Sequence, residues 1–151
     1  MEIKKVTDYE VMLCIEIFNR EFYKRTLGNN KELQDQFIEE RKTKNKEILN
    51  QYINGEIEIF GLYLDDEVLA GSVILDNDKI RHLVVRKYWQ GMGYANSLLQ
   101  YISDYAKNKG VKVLKVEAVG KNIPLYEKNG FKVVSDLDMT RYPHVNLEKE
   151  L

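Results

Sequence analysis

Leu83-Val84-Val85-Arg86-Lys87-Tyr88-Trp89-Gln90-Gly91-Met92-Gly93-Tyr94-Ala95 is the stretch on which the fold turns. An apolar, β-branched run ends at Val85, and a loop with two glycines follows. Ala95, Leu98, Leu99, Ile102 and Ala106 then recur at the i, i+3, i+4 spacing of an amphipathic helix, which Gly110 terminates. Backbone N–H groups at such a helix start lack intrahelical acceptors, and the helix dipole adds partial positive charge. The arrangement is an anion site best matched to phosphate. Gly91 and Gly93 would let the backbone approach a phosphate without a Cβ in the way. The same glycines would equally serve only to close a tight strand-to-helix turn. A dinucleotide fingerprint would need Gly or Ala where Asn96 stands, and no P-loop pattern is present, so neither NAD nor ATP is favoured.

Upstream, residues 2–6 read as a first strand. Thr7 and Glu10 form a capping box for a helix over about 8–23, in which Val11, Ile15, Phe18 and Phe22 recur at helical spacing. Cys14 shares that face and reads as a small buried hydrophobe. Leu27-Gly28-Asn29-Asn30 breaks the helix, and a second is predicted over 31–53. Its polar middle, Glu39 to Glu47, reads as a solvated face, with a substrate-facing lid as the lesser reading. Strands follow over 57–64, 68–75 and 79–85, joined by Asp-rich turns into an antiparallel meander. Downstream of the glycine loop come a strand over 111–119, a short helix over 121–128 stopped by Asn129-Gly130, a strand over 131–135, and a last strand within 140–147. The expected fold is mixed α/β of the α+β type. Its central sheet is flanked by helices, antiparallel first and parallel around the helix that carries Ala95.

Composition bounds the functions. The chain has 151 residues, 44% apolar and 31% charged, which suits one domain over residues 1–151. Lys plus Arg total 23 and Asp plus Glu 24, so no basic surplus supports general nucleic-acid binding. One cysteine and two histidines 62 positions apart argue against a thiolate or imidazole metal site. No apolar run is long enough to span a membrane and the N-terminus lacks an apolar signal segment, so the expected compartment is the cytoplasm.

The glycine loop resembles the acyl-CoA loop of the GNAT N-acetyltransferase superfamily, [QR]-x-x-G-x-[GA], with Gln90, Gly93 and Ala95 in the defining places. A second element, Tyr126-Glu127-Lys128-Asn129-Gly130-Phe131, looks like the family's Tyr-Glu-Lys-x-Gly-Phe signature. The resemblance is good over residues 57–135. It implies that acetyl-CoA is the acyl donor, that no metal is used, and that two parallel strands splay apart to admit the pantetheine arm. That arm would pair with backbone groups of Leu83, Val84 and Val85. The pyrophosphate would sit on Gln90, Gly91, Met92, Gly93, Tyr94 and Ala95. Asn122 is a further expected cofactor contact, although many members instead carry an Asn three residues earlier, where this chain has Val119.

The resemblance also implies transfer of an acetyl group to a primary amine by direct attack, with Tyr126 protonating the leaving thiolate. The other reading of Tyr126 is a ring packed in the core. The family's base positions fall on Lys79 or Arg81, neither a natural base. Glu117 is the first candidate base, His144 a more distant one, and a water chain the alternative. By pleat parity His82 is expected to face away from the acceptor. Trp89 either covers the core edge or the cofactor. Tyr142, Pro143 and His144 either shape the acceptor pocket or a dimer surface. The two N-terminal helices, with Phe22, Tyr23 and Phe37, are expected on the acceptor side. The expected partners are acetyl-CoA and an amine, with no nucleic acid and no membrane, in a monomer or homodimer. A non-catalytic acyl-CoA-binding sensor or interaction domain of the same fold is the alternative function.

Overall fold

The computed structural model describes residues 1–151, the side chain of Asp66 excepted. A seven-stranded sheet runs through the molecule. Its strands are β1 (Glu2–Lys5), β2 (Glu58–Leu64), β3 (Val68–Asp76), β4 (Lys79–Val85), β5 (Val113–Ala118), β6 (Lys132–Val133) and β7 (Val145–Glu150). They lie in the order β1-β2-β3-β4-β5-β7-β6. Every neighbouring pair is antiparallel except β4 and β5, which are parallel. The helices are α1 (Val11–Glu21), α2 (Lys31–Ile53), α3 (Tyr94–Asn108) and α4 (Ile123–Lys128). The mixed sheet flanked by helices is the architecture expected from the sequence.

Strand alternation sends side chains to two cores. Phe60 and Leu62 of β2 face Leu98, Leu99 and Ile102 of α3. Ile59 of β2 and Ile74 of β3 face Val11, Cys14 and Ile15 of α1, with Ile48 of α2. Cys14 is buried, and burial pushes its thiol pKa up to about 11, so it is an inert packing group. The helix starts follow local chemistry. Thr7 N–H donates to Glu10 Oε1 at 3.3 Å, and Asn30 Oδ1 accepts from Leu33 N–H at 3.1 Å to open α2.

Several boundaries differ from the sequence reading. The first helix opens with a tight turn over Asp8–Glu10 and closes with a wider one over Phe22–Thr26, where Leu27 N–H reaches back to Phe22 C=O. The strand expected over 111–119 is trimmed to Val113–Ala118. The strand expected over 131–135 shrinks to Lys132–Val133, the residues in ladder register with β7, although Val134 N–H still donates to Asn146 C=O at 2.9 Å. The last strand moves to Val145–Glu150. The residues before it are held in a turn in which Asp138 Oδ1 accepts from the N–H and the hydroxyl of Thr140.

Two irregularities open the middle of the sheet. The parallel pairing of β4 with β5 covers only Lys79–Lys115 and Ile80–Val116, and beyond these pairs the strands part. On the other edge of β4 the partners go from Ser72–Val84 to Ile74–Arg81, so that Val73 alone on β3 stands against His82 and Leu83 on β4. This is a β-bulge, with His82 at φ 54° in the left-handed region. Just past the bulge β3 and β4 approach closely at Gly71, where a Cβ would meet Val84 O at 2.6 Å. We therefore expect Gly71→Ala to destabilise the fold by about 1–3 kcal/mol, since backbone must move to admit the methyl group. Urea unfolding checks this, and an unchanged midpoint would contradict the close approach.

Candidate active site

The parted strands form one wall each of a cleft of about 630 Å³. One end is built by the glycine loop. Gly91 and Gly93 hold φ 80° and 84°, a region that L side chains rarely adopt, with nothing within 4 Å of where a Cβ would lie. Gly93 is the N-cap of α3, and the first helical bond runs from Ser97 N–H to Gly93 C=O at 3.1 Å. The N–H groups of Tyr94, Ala95 and Asn96 thus precede the helical ladder and face the loop. The Gln90 side chain anchors the loop by donating to Val85 C=O at 2.7 Å and to Glu21 Oε1 at 3.4 Å. The geometry is that of an oxyanion cradle, open above and held from below.

Leu83, Val84, Val85, Gln90, Gly91, Gly93, Tyr94, Ala95 and Asn122 all line this cleft, as do Tyr126 and Glu117. Met92 is exposed at the loop tip and falls outside the cleft wall. Tyr126, on α4, is buried with its ring edge-on to Phe131 at 5.6 Å. It therefore both packs in the core and borders the cleft. Desolvation drives its phenol pKa well above the ordinary value, so it stays protonated at neutral pH. Asn122, the N-cap of α4, makes no side-chain cap bond. Trp89 packs against the core edge and also borders the cleft.

Glu117 projects from β5 into the other end. Its carboxylate meets Lys79 at 3.0 Å and Arg141 at 3.0 Å. Burial alone would raise its pKa, but Lys79, Arg141 and His144 outweigh burial and lower it. His144 is buried and Tyr142 stands edge-on to Phe22 at 5.0 Å, and both border this end. Phe22 lines it too, with Phe37 stacked behind at 5.0 Å, while Tyr23 falls outside the wall.

Two features were not anticipated. His82 borders the cleft instead of facing away, because the bulge adds a residue to β4 and breaks the pleat parity on which that expectation rested. Its ring stacks on Phe18 at 3.9 Å between centroids, and its Nδ1 is buried without a partner. Arg41, placed by its polar neighbours on a solvated face, instead turns into the cleft. The signal for Arg41 lay in Phe37, four residues earlier on α2, over whose ring the guanidinium sits at 4.7 Å. No group of three or more His, Cys, Asp or Glu suited to a metal occurs among the described residues. Among those residues no helix is long and apolar enough to cross a membrane.

The acetyltransferase (GNAT) domain family matches residues 20–151 of the chain. Streptothricin acetyltransferase from Escherichia coli is 31% identical over 91 residues, 55% of this chain. That match spans 51% of the relative, about half its length. Among solved structures, the PaiA N-acetyltransferase of Thermoplasma acidophilum, determined in complex with coenzyme A, superposes with a TM-score of 0.77 at 23% identity. That superposition covers 99% of this chain and 98% of the other. A GCN5-related N-acetyltransferase from Rhodopseudomonas palustris gives 0.81 at 15% identity, covering 99% and 95%. The chain belongs to the GNAT acetyltransferase family.

Two outcomes follow from this geometry. Gly93→Val should cost stability, because valine resists φ 84°, and should weaken CoA binding in the fraction that folds. Calorimetric titration with CoA reads the second effect, and wild-type affinity would remove the loop from the anion site. His82 should also leave a mark on stability. Desolvation, then Arg41 and Arg81, pushes its pKa down to about 3. A histidine kept neutral by the fold supports stability above its unfolded pKa of about 6.5, and that support is lost as pH falls toward 3. Between pH 6.5 and 5 the wild type should lose stability with a slope approaching about 1.4 kcal/mol per pH unit. His82→Asn tolerates the left-handed backbone and should flatten that slope. Parallel slopes in the two proteins would show that His82 does not titrate across the transition.

Proposed function

We propose that the chain is an acetyl-CoA-dependent N-acetyltransferase acting as one domain, which moves an acetyl group to a primary amine by direct attack. The observation that carries this reading is the parting of β4 and β5 beyond Ile80 and Val116. The gap runs from an oxyanion cradle at Gly91–Ala95 past Tyr126 to a charged end, so donor and acceptor would meet at its middle. Backbone groups of Leu83, Val84 and Val85 would align the pantetheine arm, the loop N–H groups would hold the pyrophosphate, and Asn122 would lie beside the arm.

The acceptor amine must be neutral to attack. An alkylammonium has a pKa near about 10.4, so it first loses a proton. In this reading Glu117 draws that proton through water. With Lys79 and Arg141 on its oxygens it is a weak base, and the amine's own ionisation dominates the step. The amine lone pair then adds to the thioester carbonyl, and a backbone N–H near Val85 holds the oxyanion. Collapse breaks the C–S bond, the sulfur takes the Tyr126 proton, and the proton that the nitrogen sheds as the amide forms passes through water to the tyrosinate. Holding the reactants in a desolvated slot supplies the orientation that such an addition needs.

The experiment is acetyl-CoA turnover over an amine panel with thiol-release detection. CoA binding without turnover on any amine would favour the non-catalytic sensor instead. Tyr126→Phe keeps the ring against Phe131, so CoA affinity should persist, while the single-turnover rate falls by roughly 10²–10⁴. An unchanged rate would remove Tyr126 from the mechanism. In the wild type, kcat/KM should rise with pH up to the pKa of the acceptor, shifting as amines of different basicity are used. The raised phenol pKa predicts no falling limb below about pH 10. A rising limb fixed near a carboxylate pKa for all amines would instead make Glu117 a dominant base.

A further inference from the structure

At the acceptor end of the cleft three guanidinium groups converge. Arg81 is held by Asp76 Oδ2 and Gln51 Oε1, each at 3.0 Å. Arg141 is held by Glu117 at 3.0 Å and lies over the Tyr142 ring at 5.0 Å. Arg41 is different. Its Nε and Nη1 are buried with no hydrogen-bond partner, and its flat face rests on Phe37. Charged donors shut off from water without an acceptor are costly to maintain. Burial, with Arg81 and Arg141 nearby, outweighs Glu40 and Tyr142 and lowers the pKa of Arg41. Four cations, Arg41, Lys79, Arg81 and Arg141, therefore border this end against two carboxylates, Asp76 and Glu117, and both carboxylates are already in ion pairs.

Such a surround disfavours a second ammonium on the acceptor. It favours an oxyanion, because a guanidinium that borders the cleft and sits in no ion pair receives a carboxylate or phosphate through charge-assisted hydrogen bonds, and the stacked ring fixes its plane. We propose that the acceptor is an amine that also carries an oxyanion, a carboxylate or a phosphate, which binds to the guanidinium of Arg41. This inference rests on the acetyltransferase reading for the amine, whereas the anion site stands on Arg41 and its neighbours alone. Arg41 would be a specificity-determining group, removed from the reacting atoms. It would orient the acceptor by its tail and leave the amine to Glu117 and the thioester.

The test uses matched acceptors that differ only in the anion: γ-aminobutyrate against butylamine for the carboxylate, and O-phosphoethanolamine against ethanolamine for the phosphate. Each is measured for kcat/KM with acetyl-CoA and for equilibrium binding to the CoA complex by calorimetry. At least one anionic member should exceed its neutral partner by about 10- to 100-fold in both measurements, and the better of the two identifies the oxyanion. Arg41→Gln should erase that preference while still binding CoA, and Arg41→Lys should restore only part of it. Should Arg41→Gln not fold, the wild-type comparison alone decides. Turnover of all four amines without preference for the anionic members would overturn the inference and leave the acetyltransferase reading intact. Binding of the anionic amines that depends on Arg41, without turnover of any amine, would support the anion site and count against the acetyltransferase reading.

Discussion

The parting of β4 from β5 is the constraint on which the rest of the molecule depends. A parallel pair normally continues its ladder for as long as both strands last. Here it lasts for two residue pairs. On one side β4 stays bound to β3, at the cost of a bulge and a left-handed His82. On the other side β5 stays bound to β7 along its full length. Each strand is thus satisfied by its outer neighbour, and the inner edges are left to face the cleft. The two cores reinforce the split, since α3 packs on one face of the sheet while α1 and α2 pack on the other.

The main elements of the fold could be read from the sequence because their signals are local. The glycine loop sits between a β-branched run and a helix of regular apolar spacing, and both survive in the structure with Gly93 as the N-cap. The meander was legible through its alternation and its acidic turns. The two C-terminal strands were legible in existence but not in extent, because Val145–Glu150 alternates only two apolar residues with polar ones and gains its bounds from pairing with β5 and β6. That pairing is a long-range fact that no local window contains.

The end of the cleft built by the glycine loop was legible in the sequence, and the charged end much less so. The loop end is a backbone device, and glycine positions announce backbone devices. The charged end is assembled from side chains on α1, α2, β4, β5 and the segment before β7, whose common destination depends on packing. His82 shows the difficulty most clearly. Alternation along β4 assigns it to the far face, and one inserted residue reverses that assignment. Arg41 shows it again, since its one local sign, Phe37 a turn earlier on α2, is outweighed by eight polar neighbours that read as a solvated face.

The uneven distribution of charge has a kinetic consequence. The chain as a whole has a formal charge of -1, yet cations outnumber carboxylates along the walls of the cleft. The remainder of the surface must then carry the compensating negative excess. A positive trough in a negative shell, flanked by low-dielectric walls, focuses the field at its mouth. Negatively charged solutes are drawn toward the opening and turned into alignment before contact, while positively charged ones are turned away. Encounter with an anionic ligand should accordingly be fast in dilute electrolyte and slow as salt is added, over distances set by a Debye length of about 8 Å at physiological ionic strength.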